Sequence, residues 1–229
     1  MIFVTGDIHG QIDIGKITKR KWPEQKNLSR DDYLIVLGDF GLYWEDEYDK
    51  SFLYLMDFYQ TRPYTVLWVD GNHENHDWID ELPVTKWNGG KVHRDRNVIH
   101  LMRGQVFQID GLRFFTMGGA RSVDKEMRVE GISWWSREEL NYEEQEEAFK
   151  NLEASNWKVD YILTHAAPRG VLLPMFPERP YFGGSTTEKF LDSISTDIKY
   201  RHWFFGHYHE DKDFGKFSAV YNRILRIEG

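Results

Sequence analysis

Short apolar runs that stop abruptly at a glycine or a polar cluster constrain this chain more than any other feature. Ile2 to Thr5 runs into Gly6-Asp7, Tyr33 to Leu37 into Gly38-Asp39, and Thr65 to Val69 into Asp70-Gly71-Asn72-His73. Further along, Phe114 to Met117 meets Gly118-Gly119, Tyr161 to Thr164 meets His165, and His202 to Phe205 meets Gly206-His207-Tyr208-His209. Runs this continuously apolar predict strands covered on both faces, because a half-exposed strand would alternate. Helices are predicted between them. Tyr48, Phe52, Leu55 and Tyr59 recur at helical spacing, and Phe190, Leu191 and Ile194 follow a capping box from Ser185 to Glu188. The acidic stretch from Glu138 to Glu153 sets Leu140, Ala148, Phe149 and Leu152 on one helix face, with its glutamates read as solvated surface. Two interruptions break the alternation. Gln105 to Ile109, Asp110-Gly111 and Leu112 to Met117 predict a β-hairpin, since Asp-Gly tolerates the positive φ of a type I′ turn. Lys216 to Ile227 reads as one or two strands. The expectation is a mixed sheet system flanked by helices, class α/β or α+β, in one domain over residues 1–229.

Composition narrows the functional classes. Lys+Arg 29 against Asp+Glu 37 leaves a net charge of −8, which disfavours a protein that coats duplex nucleic acid or an anionic membrane. With no cysteine, disulfides, thiolate catalysis and Cys-based metal sites are excluded, so any metal must sit on nitrogen and oxygen ligands. The longest apolar runs fall far below the ~18 residues of a membrane helix, and Met1 to Thr5 does not look like a signal peptide. A soluble, cytoplasmic protein is expected. The 9 Trp, 12 Tyr and 15 Phe are expected to fill the core and line one cleft.

The polar residues that end the strands carry the chemistry. Asp7 and His9 follow the first run, Asp39 the second, Asn72 and His73 the third, His165 a later one, and His207 and His209 the last. In open α/β sheets the carboxyl ends of strands face one crevice, so separated segments would deliver these side chains to one place. Imidazole, carboxylate and amide oxygen suit Mn, Fe or Zn. Eight such residues are too many for one tetrahedral ion, and seven ligands suit two five- or six-coordinate ions that share a carboxylate. Paired ions of that kind activate water and clamp the oxygens of phosphate esters.

The blocks Gly6-Asp7-Ile8-His9-Gly10, Gly38-Asp39, Gly71-Asn72-His73-Glu74, Thr164-His165 and Gly206-His207-Tyr208-His209, in this order, resemble the calcineurin-like metallophosphoesterase superfamily. The resemblance implies two packed mixed β-sheets flanked by helices. It also implies two divalent transition-metal ions, manganese first, with iron or zinc as alternatives. One metal would take Asp7, His9, Asp39 and His209, and the other Asp39, Asn72, His165 and His207. His73 would bind neither, and would face the phosphate as proton donor or charge stabiliser. The implied activity is hydrolysis of a small phosphomonoester or phosphodiester, a nucleotide among the candidate substrates. A nuclease of the same superfamily and a non-catalytic protein-binding scaffold are the alternatives.

The sequence departs from the protein Ser/Thr phosphatase branch. Gly41, Leu42, Tyr43, Trp44 and Asn75 stand where that branch is expected to carry two phosphate-clamping arginines. Arg121 and Arg128, after Gly118-Gly119-Ala120, are the substitutes the sequence offers, with pairing to Asp124, Glu126 or Glu130 as the alternative for them. Tyr43-Trp44 and Trp134-Trp135 are read first as core and second as stacking surfaces for a nucleobase. His76, His93, His100 and His202 are assigned structural or surface roles, with His76 near enough to His73 to reach the cleft.

Overall fold

The computed structural model describes residues 1–44, 49–179 and 183–229. Among the described residues thirteen strands form two sheets. They are β1 (Ile2–Thr5), β2 (Tyr33–Leu37), β3 (Thr65–Val69), β4 (Val84–Trp87), β5 (Gly90–Asp95), β6 (Val98–Leu101), β7 (Gln105–Ile109), β8 (Leu112–Met117), β9 (Tyr161–Thr164), β10 (His202–Phe205), β11 (Lys212–Phe214), β12 (Phe217–Ala219) and β13 (Leu225–Ile227). The first sheet runs β13-β1-β2-β3-β6-β5-β4 and the second β11-β12-β10-β9-β8-β7. Within them β1, β2, β3 and β6 are parallel, as are β12, β10, β9 and β8, with antiparallel strands only at the margins.

The predicted double burial has a simple origin. Along β2, Ile35 and Leu37 turn into an apolar layer shared with Phe114, Leu163 and Phe204 of the second sheet, while Leu34 and Val36 turn outward. The outward residues are covered by the helix α1 (Lys50–Gln60), through Leu55, Met56 and Tyr59. On the far side, α3 (Tyr142–Ala154), α4 (Arg169–Met175) and α5 (Thr186–Ser195) cover Phe115, Ile162 and Phe205. Each parallel strand thus alternates between two cores instead of between core and water, which is why its sequence reads as one apolar run. Among the described residues no helix is long and apolar enough to cross a membrane.

The hairpin β7–β8 closes through Asp110 and Gly111, both at positive φ (49° and 79°), as the Asp-Gly signal requires. The capping boxes of α5 (Ser185 with Glu188) and α3 (Asn141 with Glu144) are both formed. Phe52, Leu55 and Tyr59 lie in α1; Tyr48, the fourth residue of that periodicity, falls outside the described residues. The carboxyl segment supplies two strands, one to each sheet.

The acidic stretch differs from expectation. Glu138 precedes α3 and is 1% exposed, accepting hydrogen bonds from Ser122 N (2.8 Å) and Ser122 Oγ (2.6 Å). Glu144 accepts from the buried Arg103 at 3.0 Å. Buried donors require acceptors, and these two glutamates supply them. Phe149 is 38% exposed and so lies partly off the buried face.

Candidate metal centre

The carboxyl ends of β1, β2 and β3 in one sheet and of β9 and β10 in the other open onto the same edge of the sandwich. Asp7, Asp39, Asn72 and His165 there are buried, His9 and His73 half-buried, and His209 exposed. Tight turns deliver them. His9, Asp39, His207 and His209 all adopt left-handed backbone (φ 47°, 47°, 66° and 52°), conformations that His and Asp enter more readily than most residues but which still hold local strain. Two glycines let backbone press against the carboxylates. A Cβ on Gly71 would lie 2.1 Å from Asp39 Oδ1, and one on Gly206 2.3 Å from Asp7 Oδ1.

Asp39 lies between two groups of ligands. Its Oδ2 is 3.2 Å from His9 Nε2, and its Oδ1 is 3.3 Å from His165 Nε2 while accepting the His73 backbone N–H at 2.8 Å. On one side, ligand atoms of Asp7, His9, Asp39 and His209 lie within 4.8 Å of one another. On the other, His165 Nε2 is 3.1 Å from Asn72 Oδ1, and the His165 and His207 rings are 4.9 Å apart. Asp7 bridges the segments further, since Asp7 Oδ1 accepts from His207 N at 3.1 Å and Asp7 Oδ2 is 3.0 Å from His209 Nε2.

Burial works against charge on Asp39, yet His165 and His9 beside it hold its carboxyl well below the usual carboxylate range. Burial likewise opposes ionisation of Asp7, and His209 and His165 reverse the balance. In return, and against the effect of burial, Asp39 lifts His9 and His165 to about 9. His207, half-buried, goes the other way, to about 3, because it is shielded from water and faces the charge of His165. Burial lowers His73 as well, with Arg128 and His9 adding to the effect and Asp39 opposing it.

These residues fit divalent cations. Asp7 Oδ2 is buried with no hydrogen-bond donor of good geometry, the donor set is all nitrogen and oxygen, and two ionised carboxylates are enclosed side by side.

Sequence reasoning missed the residues that steady this cluster. His9 Nδ1 is 2.9 Å from Asp13 Oδ2, and Asp13 Oδ1 accepts from Tyr221 Oη at 3.3 Å. The Tyr221 ring stacks on His209, 4.7 Å between centroids and 15° from parallel. Lys16 Nζ donates to the carbonyls of Asp7 and Tyr221, both at 2.5 Å. Asn72 Nδ2 donates to Ser122 Oγ at 3.1 Å, and the Ser122–Glu138 bond thereby fixes which end of the amide faces His165. Asp13 was visible as the residue four after His9; Ser122, Glu138 and Tyr221 meet their partners only through the fold.

Two cavities meet at His73. The smaller, about 330 Å³, is walled by Asp39, Asn72, His207, His209 and Arg179. Arg179 donates to Tyr208 O (2.8 Å) and Glu210 Oε1 (2.9 Å), and no sequence signal marked it. The larger, about 630 Å³, is bordered by His9, His73 and Arg128. Arg128 therefore reaches the site, but with its Nε and Nη2 bonded to Asp124, both at 2.8 Å. Arg121 is exposed and lines neither cavity, so the pair expected from sequence is split. Tyr43 and Trp135 are core, while Trp44 lines the larger cavity.

His93, His100 and His202 have structural partners, His100 Nε2 being 3.1 Å from Asp70 Oδ1 and 3.1 Å separating the Nδ1 atoms of His93 and His100. His76 lies in α2 (His76–Glu81), 3% exposed, and lines neither cavity. Burial, then the charge of Arg103, pushes it down to about 3. The unfolded chain takes up this proton near pH 6.5 and the folded chain only near pH 3, so stability should fall as pH drops through that window, by about 1.4 kcal/mol per unit. Urea unfolding between pH 7 and pH 4 should show His76→Gln flattening that slope; an unaltered slope would remove His76 as its source.

The family model for calcineurin-like phosphoesterases matches residues 1–211. The chain belongs to this family of metal-dependent phosphoesterases. Among curated proteins it is similar to the lariat debranching enzyme of Schizosaccharomyces pombe, 26% identical over 242 residues that cover 95% of this chain and 48% of the relative. The chain thus spans about half the length of that relative, which is not a protein Ser/Thr phosphatase. Among solved structures, phosphopantetheinyl hydrolase from Mycobacterium tuberculosis aligns with a TM-score of 0.44 and 18% identity, covering 96% of this chain and 89% of that one.

Proposed function

We propose that this chain hydrolyses small phosphoesters, in the cytoplasm, with two divalent ions, manganese first among them. One ion would be held by Asp7, His9, Asp39 and His209, the other by Asp39, Asn72, His165 and His207. The observation that carries the proposal is Asp39, whose two oxygens lie 3.2 Å from His9 and 3.3 Å from His165, each belonging to a different ligand group. Divalent cations there would acidify water to hydroxide near neutral pH and neutralise charge on phosphate oxygens. The debranching-enzyme relative supports a nucleotide among the candidate substrates.

The rest falls to this chain's side chains. His73 stands at the junction of the cavities, 5.8 Å from the His9 ring, and would face the leaving oxygen as proton donor or as a stabiliser of its charge. Arg179 and Arg128 flank the phosphate position from opposite cavities, each braced by a carboxylate that fixes its fork. Arg179 takes the clamping role that sequence analysis gave to Arg121. A protein-binding scaffold would have no need to enclose two ionised carboxylates among imidazoles.

His73→Gln is the direct test. It should lower kcat by about 10²-fold, less for esters with good leaving groups, and leave two metals bound. Equal losses across leaving groups would argue against proton donation, and loss of metal would make His73 a ligand.

Asp13→Asn probes the support of His9. An outer carboxylate that orients a metal-binding imidazole is worth about 10–100-fold in metal affinity. Asp13→Asn should therefore weaken one ion by that factor and leave the other unchanged, as read by competitive chelator titration. Two ions retained at native affinity would reduce Asp13 to a surface partner of His9.

A further inference from the structure

The larger cavity begins at the proposed metal centre and runs away from it, and at about 630 Å³ it is far roomier than a phosphate needs. Pockets of about 300–1,000 Å³ bury most of a ligand the size of a nucleoside. Its walls are apolar and flat. Phe52 is backed by Tyr43 and Trp78, 5.8 and 5.0 Å between ring centroids, and Trp44 is braced edge-on by Trp135 at 5.5 Å. At the mouth Ile12 is 82% exposed, apolar surface that an occupant would cover.

The polar groups in this cavity are informative by their neutrality. Asp49 borders it, but the Asp49 carboxylate caps α1 by accepting from Ser51 N (2.7 Å) and Phe52 N (3.2 Å). Arg128 borders it too, with its charge met by Asp124. Beyond the imidazoles of His9 and His73 at the metal-centre end, what remains among the described residues is a neutral amide and hydroxyl: Gln11 Nε2 donates to Ser51 Oγ at 2.9 Å, and Gln11 Oε1 has no partner among the described residues. Away from His9, His73 and Arg128 at the metal-centre end, an occupant with a second charge would meet no free counter-charge among the described residues, whereas a flat, neutral ring with donors on its edge would meet aromatic faces and an uncommitted acceptor.

Resting on the hydrolase reading above, we propose that this cavity is a nucleoside subsite: the ester's alcohol is a nucleoside whose base stacks against Phe52 and Trp44 and meets Gln11. Bases of any identity present a stackable face, so the subsite should favour nucleotides as a class over one particular base.

Two measurements separate the subsite from the metal centre. The first is competitive inhibition of bis(4-nitrophenyl) phosphate hydrolysis by the Mn-loaded chain, with inorganic phosphate, ribose 5-phosphate, phenyl phosphate and AMP as inhibitors. AMP should bind at least tenfold more tightly than ribose 5-phosphate, and Phe52→Ala should bring the two within about twofold by weakening AMP alone. The second is saturation-transfer NMR of adenosine, which has no phosphate, against the metal-free chain; binding should be seen and be lost in Phe52→Ala. Ile12→Asp, at an exposed position that leaves the core intact, should weaken AMP in the same sense should Phe52→Ala fail to fold. Equal constants for AMP and ribose 5-phosphate would overturn the subsite, and phenyl phosphate binding as tightly as AMP would make it a general aryl pocket. An inactive chain that no phosphate compound engages would sink the hydrolase reading, while adenosine binding sensitive to Phe52→Ala would still uphold the pocket.

Discussion

Asp39→Asn should abolish hydrolysis and drop the metal content from two ions per chain to one or none. Asn tolerates the left-handed backbone of this position (φ 47°), so the turn should survive and the loss should be one of charge. The carboxylate oxygens face His9 and His165, and an amide would turn a donor nitrogen toward one of the two ligand groups. Since an outer carboxylate alone is worth about 10–100-fold in metal affinity, a shared inner ligand should cost more than that for each ion. Elemental analysis of the purified variant beside Asp13→Asn gives the comparison. Two tightly held ions in an active Asp39→Asn protein would end the bridging assignment.

Arg103→Met should produce the largest loss of stability. Arg103 is 8% exposed and holds Asp70 through Nε at 2.7 Å and Nη2 at 2.6 Å, Glu144 at 3.0 Å and the carbonyl of Arg137 at 2.9 Å. Asp70 is itself buried, and although burial opposes its ionisation, Arg103 and then His100 keep its carboxyl well below the usual range. Removing one partner of a buried pair strands the other charge, at a cost of about 3–5 kcal/mol, which lowers Tm by about 10 °C in a chain of this size. Asp70→Asn in the same chain should restore part of the loss, because the stranded charge is then gone. A single variant that melts within about 2 °C of the parent would show that the pair adds no net stability. Asp70 immediately precedes Gly71-Asn72-His73, so the single variant should also bind metal less tightly.

The strands that bear the site were legible because each is enclosed between two cores and ends at a turn. Tyr33 to Leu37, Thr65 to Val69, Tyr161 to Thr164 and His202 to Phe205 coincide with β2, β3, β9 and β10. The marginal strands β4 and β5 were not, although the marginal β7 and β13 were. Val84 to Trp87 is largely exposed and carries no apolar run, although Asn88-Gly89, both at positive φ, was a hairpin signal open to detection. At the site, the residues at strand ends were readable because strand direction alone sends them to one edge. Arg179 and Glu138 were not, since each reaches its position through a loop path that depends on packing between distant elements. Arg121 misled for the opposite reason: proximity to Gly118-Gly119 in sequence does not fix which way a side chain in the following loop points.

The left-handed conformations of His9, Asp39, His207 and His209 also bear on how such a site could change through descent. That backbone region disfavours β-branched and bulky side chains and accommodates Gly, Asn, Asp and His. The alphabet tolerated by the turns therefore overlaps the alphabet of metal ligands. A descendant released from catalysis would still be held to these few residue types by the turns, so Asp or Asn surviving at such a position records the shape of the chain and not, by itself, a surviving reaction.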